Sequence, residues 1–359
     1  MTDARHQLVL EHYHHTYGRH AYEVVFAPGR VNLIGEHIDY HGGPVLPAAL
    51  QKGISIAWGP RADTTLRATS ASSTGSYPWA EFDLNAVGEA AADGGWENYL
   101  KAAATMVGGT QGADLLVTSD LPEASGLSSS SALVVATGLA LLSANRQLGE
   151  LTEARRLELA SRFAEAEQYV GTAGGGMDQA ASLGGREGCA LRIDFEPLRW
   201  RAISVPEPFC LIVAHTGVRA EKSGAVQARY NEIRAAHRQP LIAEHIRSES
   251  ERVEQFEAAL QAEDAAACGE LMNASHASLR DRLRVSHPAL DELVTVARNA
   301  GARGARMTGA GFGGSIVCLA ETDDASLILD ALRQAQMQMP GAHPAFVAHP
   351  GAGASVQTV

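Results

Sequence analysis

One arginine, two carboxylates and one histidine fall close together at Arg30, Glu36, His37 and Asp39. They sit in the stretch APGRVNLIGEHIDYHGGPVLP, residues 27–47, which glycines and prolines punctuate throughout. Carboxylates this close, on a chain too interrupted for one long helix, predict a turn that aims acceptors at a ligand rich in hydroxyls. The arginine beside them means that negative charge is also handled there. A sugar meeting a phosphate would need this combination.

A second group of residues has the chemistry of an anion site. Residues 121–144 read LPEASGLSSSSALVVATGLALLSA, a Pro/Gly/Ser loop running straight into a helix that is apolar nearly all round. Such a helix is buried. Loop amides and the positive end of the helix dipole then point the same way, which suits a phosphate. A helix cap needs one serine; Ser128, Ser129, Ser130 and Ser131 are consecutive here, and a serine hydroxyl can also ligate Mg²⁺. There is no GxxxxGK[ST] run, so this is not a Walker loop.

Two more glycine runs carry possible chemistry. Gly174, Gly175 and Gly176 precede Met177, Asp178 and Gln179. Glycines there let backbone approach a ligand and fix where the Asp178 carboxylate points; a plain turn with an aspartate helix cap would read the same. Residues 309–314, GAGFGG, formally match GxGxxG, but residues 315–319 read as a strand where a dinucleotide fold needs a helix. A loop approaching a ligand or another loop is the expectation. Glu167 lies near the C-terminal end of a helix, where a carboxylate is unfavourable without a cation, so it is a candidate metal ligand. Its alternative is a solvated helix face. His12, His14, His15 and His20 fit no metal-ligand spacing and read as a solvated face.

The elements that must position these groups are partly visible. Periodicity predicts helices over residues 5–17, 152–170, 227–237, 250–262, 265–272, 288–300 and 327–336. It predicts strands over 54–58, 65–69, 115–119, 209–214, 315–319 and 345–349. Helix and strand alternate in the last hundred or so residues, which favours a sheet with helices on one face. A chain of 359 residues, 45% hydrophobic and 19% charged, suggests two domains, divided here at 1–200 and 201–359.

The formal net charge of −12 opposes nucleic acid and anionic membrane as partners. The first fifteen residues, MTDARHQLVLEHYHH, hold no apolar signal core, and the best apolar run, residues 132–142, is too short to span a bilayer. Cys189, Cys210, Cys268 and Cys318 are far apart, with no CxxC pair. Reduced thiols in a cytoplasmic protein are expected.

GRVNLIGEHIDY, GLSSSSA, GGGMDQ and RMTGAGFGG, in this order, resemble the galactokinase branch of the GHMP kinases, and residues 272–294 resemble that family's C-terminal half. The resemblance runs over residues 20–355. It implies an α+β fold of two domains, the first like ribosomal protein S5 domain 2 and the second ferredoxin-like, with the active site between them. It implies an ATP-dependent kinase for the anomeric hydroxyl of galactose, using Mg²⁺ and working as a monomer or weak dimer.

Residue by residue, Arg30 and Asp178 match the catalytic pair. Glu36, His37, Asp39, Gly175, Asp178 and Tyr230 match sugar binders. Ala124, Ser125, Gly126, Leu127, Ser128, Ser129 and Ser130 match the phosphate loop, and Ser130 and Glu167 the Mg²⁺ ligands. The chain departs from the common pattern with EHIDYH for EHTDYN, and with Ala220 where the family usually has histidine. A kinase for N-acetylgalactosamine or galacturonate is therefore an alternative, as is a non-catalytic galactose/ATP sensor. Sensors of this kind lack part of the phosphate loop, whereas Ser130, Ser131 and Ala132 are present.

Overall fold

Apolar alternation builds two sheets and a hairpin, and helices cover them. The computed structural model describes residues 4–71, 78–91, 95–122, 125–171, 174–219, 224–236 and 238–359, with the side chains of residues 224–227 and 230 left out. Its strands are β1 (Glu23–Asn32), β2 (Pro47–Pro60), β3 (Thr65–Ser70), β4 (Ala80–Asp83), β5 (Ala113–Ser119), β6 (Cys189–Phe195), β7 (Leu198–Ser204), β8 (Phe209–His215), β9 (Gly304–Thr308), β10 (Ser315–Glu321), β11 (Phe346–Ala348) and β12 (Ser355–Thr358). Its helices are α1 (Ala4–Tyr17), α2 (Glu97–Val107), α3 (Ser129–Ala144), α4 (Glu153–Ala166), α5 (Met177–Gly184), α6 (Gly224–Ala235), α7 (Pro240–Gln261), α8 (Ala265–Ser278), α9 (Pro288–Asn299) and α10 (Ala325–Gln336).

The first sheet has six strands in the order β12-β1-β2-β5-β3-β4. All its pairs are antiparallel except β3 with β5. Helix α3 is buried continuously from Ser131 to Leu142 in the core of this sheet. Hydrocarbon on every side of α3 leaves it no solvent face, as its sequence predicts.

The second sheet has four strands in the order β11-β8-β10-β9. Along the chain these run β8, helices, β9, β10, α10, β11, which is the ferredoxin-like order. A separate core, including Ile212, Met307, Ile316 and Leu332, fills it. The α+β GHMP kinase architecture is thus present. Residue 200 falls inside β7, and β12 returns from the end of the chain to pair with β1.

Several elements differ from their sequence outlines. Arg30 stands on a strand, not in a turn: Pro28 and Gly29, read as breakers, are absorbed where the β1–β2 register shifts between Pro28 and Arg30. The helix expected over 152–170 is α4, capped by Thr152, and it tightens to a 3₁₀ turn at Glu167–Val170. Helix α7 starts ten residues before the expected Ser250, at Pro240 in the first turn, where proline's missing N–H costs nothing. α5, only eight residues long, has too short a periodic run to be seen in sequence.

Candidate active site

The cleft lies where the ends of several elements converge. It has a cavity volume of about 100 Å³, is open to solvent, and is lined by Arg30, Glu36, His37, Asp39, Glu167, Asp178 and Gln179 among others. Arg30 comes from the end of β1, and the polar loop that follows carries Glu36 to Asp39. Asp178 stands in the first turn of α5, after Gly176 in a left-handed conformation. A concave, partly apolar cleft with a few convergent polar groups is the usual form of a small-molecule site.

On one side of the cleft, Arg30 holds Asp178. Its Nε and Nη2 reach Asp178 Oδ1 at 2.7 and 2.6 Å, and its Nη1 donates to the Gly126 carbonyl at 2.7 Å. One guanidinium thus ties the aspartate to the serine loop. Burial works against the Arg30 charge, but Asp178, Glu36 and Asp39 outweigh it and raise its pKa. Asp178 Oδ2 meets Ser131 Oγ at 3.5 Å, the long limit of a hydrogen bond.

The serine loop behaves partly as expected. Ser128 occupies the N-cap of α3 with φ 65°, and its hydroxyl does not cap the helix. The first amides of α3 therefore have no side-chain cap and remain donors for an anion. Ser129 and Ser130 are half-exposed in that turn. Ser125 and Leu127 are buried: Ser125 Oγ donates to the Pro122 carbonyl, and Leu127 O accepts from Arg30 N. Their side chains shape the loop, leaving backbone to face a ligand. Ala124 lies outside the described residues.

The glycine run at 309–314 joins β9 to β10, so strands flank it on both sides. It packs on the serine loop: a Cβ on Gly309 would lie 2.7 Å from the Gly126 carbonyl, and Ser315 Oγ donates to Ser125 O at 2.8 Å. This is the loop-on-loop approach that the sequence predicts, and it is no dinucleotide site.

On the other side of the cleft the polar groups are buried and held. Glu36 Oε2 pairs with Arg306 Nη2 at 3.1 Å. Burial drives the Glu36 pKa up to about 7, with Arg306 and Arg30 pulling it only partway back. His37 Nε2 lies 3.2 Å from the Ala310 carbonyl and Nδ1 2.8 Å from Tyr40 Oη. A carbonyl only accepts, so Nε2 carries the proton and Nδ1 accepts from the tyrosine. Burial lowers the His37 pKa to about 3, so the ring is neutral.

Asp39 Oδ2 accepts from Gly175 N at 3.1 Å. Desolvation in the cleft, and then the neighbouring Asp178 charge, raise its pKa to about 6. A Cβ on Gly175 would lie 2.4 Å from the Asp39 carbonyl carbon and the Tyr40 nitrogen, so only glycine allows this approach.

Arg30, Glu36, His37, Asp39, Glu167 and Asp178 therefore meet in one cleft, with Gly175 against Asp39. The Tyr230 side chain lies outside the described residues, and α6 carries its backbone. Glu167 is buried and lines the cleft, in the turn that closes α4. Its carboxylate is the kind of hard oxygen donor that Mg²⁺ prefers, whereas Ser130, the other expected ligand, is half-exposed in the first turn of α3 and is not among the residues that line the cleft. No group of three or more His, Cys, Asp or Glu able to hold a metal occurs among the described residues. No described helix is long and apolar enough to cross a membrane.

Sequence reasoning missed Arg306. It is fully buried, donates from Nη1 to the Asn32 carbonyl at 2.7 Å and pairs with Glu36. Its position in RMTGAGFGG was the available signal. Tyr40 and Gln179 were also missed, although each adjoins a residue that was singled out.

Residues 11–60 match the galactokinase galactose-binding signature, 98–186 the GHMP kinases N terminal domain and 256–337 the GHMP kinases C terminal model. The chain is 38% identical to the galactokinase of Roseiflexus sp. (strain RS-1), covering 92% of each chain. It is 36% identical to that of Chloroflexus aurantiacus, covering 88% of each. The crystal structure of Lactococcus lactis galactokinase complexed with galactose superposes with a TM-score of 0.86, at 30% identity over 97% of this chain and 99% of that one. Methanococcus jannaschii mevalonate kinase shares the fold, with a TM-score of 0.70 at 20% identity over 93% and 99% of the two chains.

Proposed function

The chain belongs to the galactokinase family, and from that premise we propose that it transfers the γ-phosphoryl group of ATP to the anomeric hydroxyl of galactose, giving galactose 1-phosphate and ADP. The observation that carries this reading is the triple contact of Arg30, which binds Asp178 and the Gly126 carbonyl with one side chain. Positive charge and the proton-accepting carboxylate are thereby set against the phosphate loop in one geometry. Phosphoryl transfer asks a protein chiefly for positioning and charge stabilisation.

The ATP phosphates lie on the backbone of residues 124–130 and the first turn of α3. Glu36, His37, Asp39, Gly175 and the Tyr230 hydroxyl receive the sugar. Arg30 occupies Asp178 Oδ1, so Oδ2 takes the proton of the anomeric hydroxyl as that oxygen bonds to the γ-phosphorus and the bond to the ADP oxygen breaks. Arg30 also offsets charge developing on the phosphoryl oxygens. Ser130 and Glu167 would hold Mg²⁺, which when bound neutralises phosphate charge.

Two lobes divided near residue 200 fit this assignment, with β12 lent back to the first. A net charge of −12 speaks against nucleic acid and anionic membrane as partners, the four free cysteines suit a cytoplasmic enzyme, and a monomer or weak dimer acting on small molecules is what the family resemblance implies. The test incubates the protein with Mg-ATP and galactose, glucose, N-acetylgalactosamine or galacturonate, and identifies the product and the phosphorylated position by NMR. Galactose 1-phosphate is expected. Galactose staying inert while another sugar reacts overturns the substrate, and no turnover with any sugar overturns the enzyme.

A further inference from the structure

The loop that receives the sugar is bent against its own preference. Gly35 has φ 94° and His37 φ 62°, so left-handed residues flank Glu36 on both sides. Such a conformation is costly at a residue with a side chain, and persists only where surrounding groups over-determine it.

Two side chains of α7, one turn apart, do this from behind the loop. His245 is fully buried; its Nε2 lies 3.0 Å from the Glu36 carbonyl and its Nδ1 2.9 Å from Ser278 Oγ. Burial lowers its pKa, so the ring is neutral, and the carbonyl partner puts its one proton on Nε2. Glu249 is also fully buried. Its Oε1 accepts from Gly35 N at 2.9 Å and from Ser275 Oγ at 2.6 Å, and its Oε2 accepts from Arg252 Nε at 2.7 Å. The amide of Gly35 and the carbonyl of Glu36 are thus each fastened to α7, and α8 holds the fasteners. Neither His245 nor Glu249 lines the cleft.

We propose that His245 and Glu249 are positioning residues for the sugar: they lock the backbone on either side of Glu36 and so set where the Glu36 and His37 side chains meet the sugar hydroxyls. This inference rests on galactose being the substrate of the cleft. It separates the two halves of the reaction, because the phosphate loop and Arg30 have no part in the clamp. Loosening the clamp therefore weakens the sugar and leaves ATP alone.

The experiment measures KM for galactose and for ATP, with calorimetric galactose binding and thermal melts. Wild type is measured first, since an inert wild type brings down the substrate reading, whereas an active one leaves the clamp on trial. His245→Ala is expected to raise the galactose KM about tenfold or more, with the ATP KM within about twofold, as loss of one buried positioning bond would give. His245→Gln, whose amide can donate to Glu36 O and accept from Ser278, recovers most of that loss.

Should His245→Ala fail to fold, Ser278→Ala decides. It removes the partner of Nδ1, along with a long 3.5 Å contact from Arg282 Nη1, and is expected to raise the galactose KM a few-fold while sparing ATP. A folded variant with an unmoved galactose KM overturns the inference, and so does an equal rise in both KM values.

Discussion

The two sides of the cleft are built in opposite ways. On the phosphoryl side, one ion pair joins residues 148 positions apart, and the Asp178 side chain keeps 27% of its surface exposed. On the sugar side, Glu36 and His37 are at most 4% exposed and are backed by Arg306, Ala310, His245 and Glu249. A group that exchanges a proton must reach the reacting atoms, so little can cover it. Hydroxyl recognition is a matter of fixed geometry, which buried hydrogen bonds hold well because breaking them leaves unpaired polar groups. On the proposed assignment, the protein keeps the Asp178 carboxylate accessible and locks the loop that carries Glu36 and His37.

The largest break in this contrast is expected from Asp178→Asn. Turnover should fall by about 10³-fold, within the usual range for losing a general base, with ATP binding retained. Near-normal single-turnover rates would remove Asp178 from its role. Arg30→Lys comes next. A lysine can meet Asp178 or the Gly126 carbonyl but cannot span both as the guanidinium does, so kcat should drop about 10²-fold and the ATP KM should rise with it. Steady-state kinetics in both substrates would read this, and an unchanged ATP KM would unlink Arg30 from the phosphate loop.

The sugar side should respond differently. Gly175→Ala pushes a methyl into the Asp39–Tyr40 backbone, so it is expected to lower stability by about 1–3 kcal/mol and to raise the galactose KM. Urea melts with and without galactose would measure both effects. Asp39→Asn should raise the galactose KM about tenfold with little change in kcat. A loss confined to kcat would move Asp39 to the phosphoryl side.

The smallest effect expected is on pH. His37, His215 and His276 are buried with pKa values lowered to about 3, 4 and 4. Each favours the folded state fully above its unfolded pKa near 6.5 and loses that contribution as pH falls through the folded value. Glu36 and Asp39, raised to about 7 and 6, act in reverse: their contribution is present in acid and is lost as pH rises. The three histidines outweigh the two carboxylates, so the urea midpoint should fall as pH is lowered from about 7 to about 4.5. A midpoint that rises toward acid would contradict the neutral state of those rings.

Much of the site was legible because its chemistry is local. Glu36, His37 and Asp39 share one short loop, and the serines open one helix. A sheet with helices on one face could be read from the alternation of helix and strand in the last hundred or so residues, whereas its ferredoxin-like order was implied only by the family resemblance. β1 was hidden because Pro28 and Gly29 look like breakers, and only the register shift against β2 accommodates them. The start of α7 was hidden because its first turns face other elements rather than showing a clean apolar stripe.

The sequence by itself determined the candidate parts of the proposed reaction: acceptors for hydroxyls, amides and serines for phosphate, and an aspartate after three glycines. Residue type and spacing suffice for these, because each motif is short enough for neighbours in sequence to be neighbours in space. Arg30 meets Asp178 as the family resemblance implies. Tertiary structure alone decided the other pairings: Arg306 finds Glu36, and His245 with Glu249 fastens the loop between Gly35 and Glu36. Each pairing joins strands or helices far apart in the chain. Their meeting is fixed by how sheets and helices bury apolar surface, which no local pattern records.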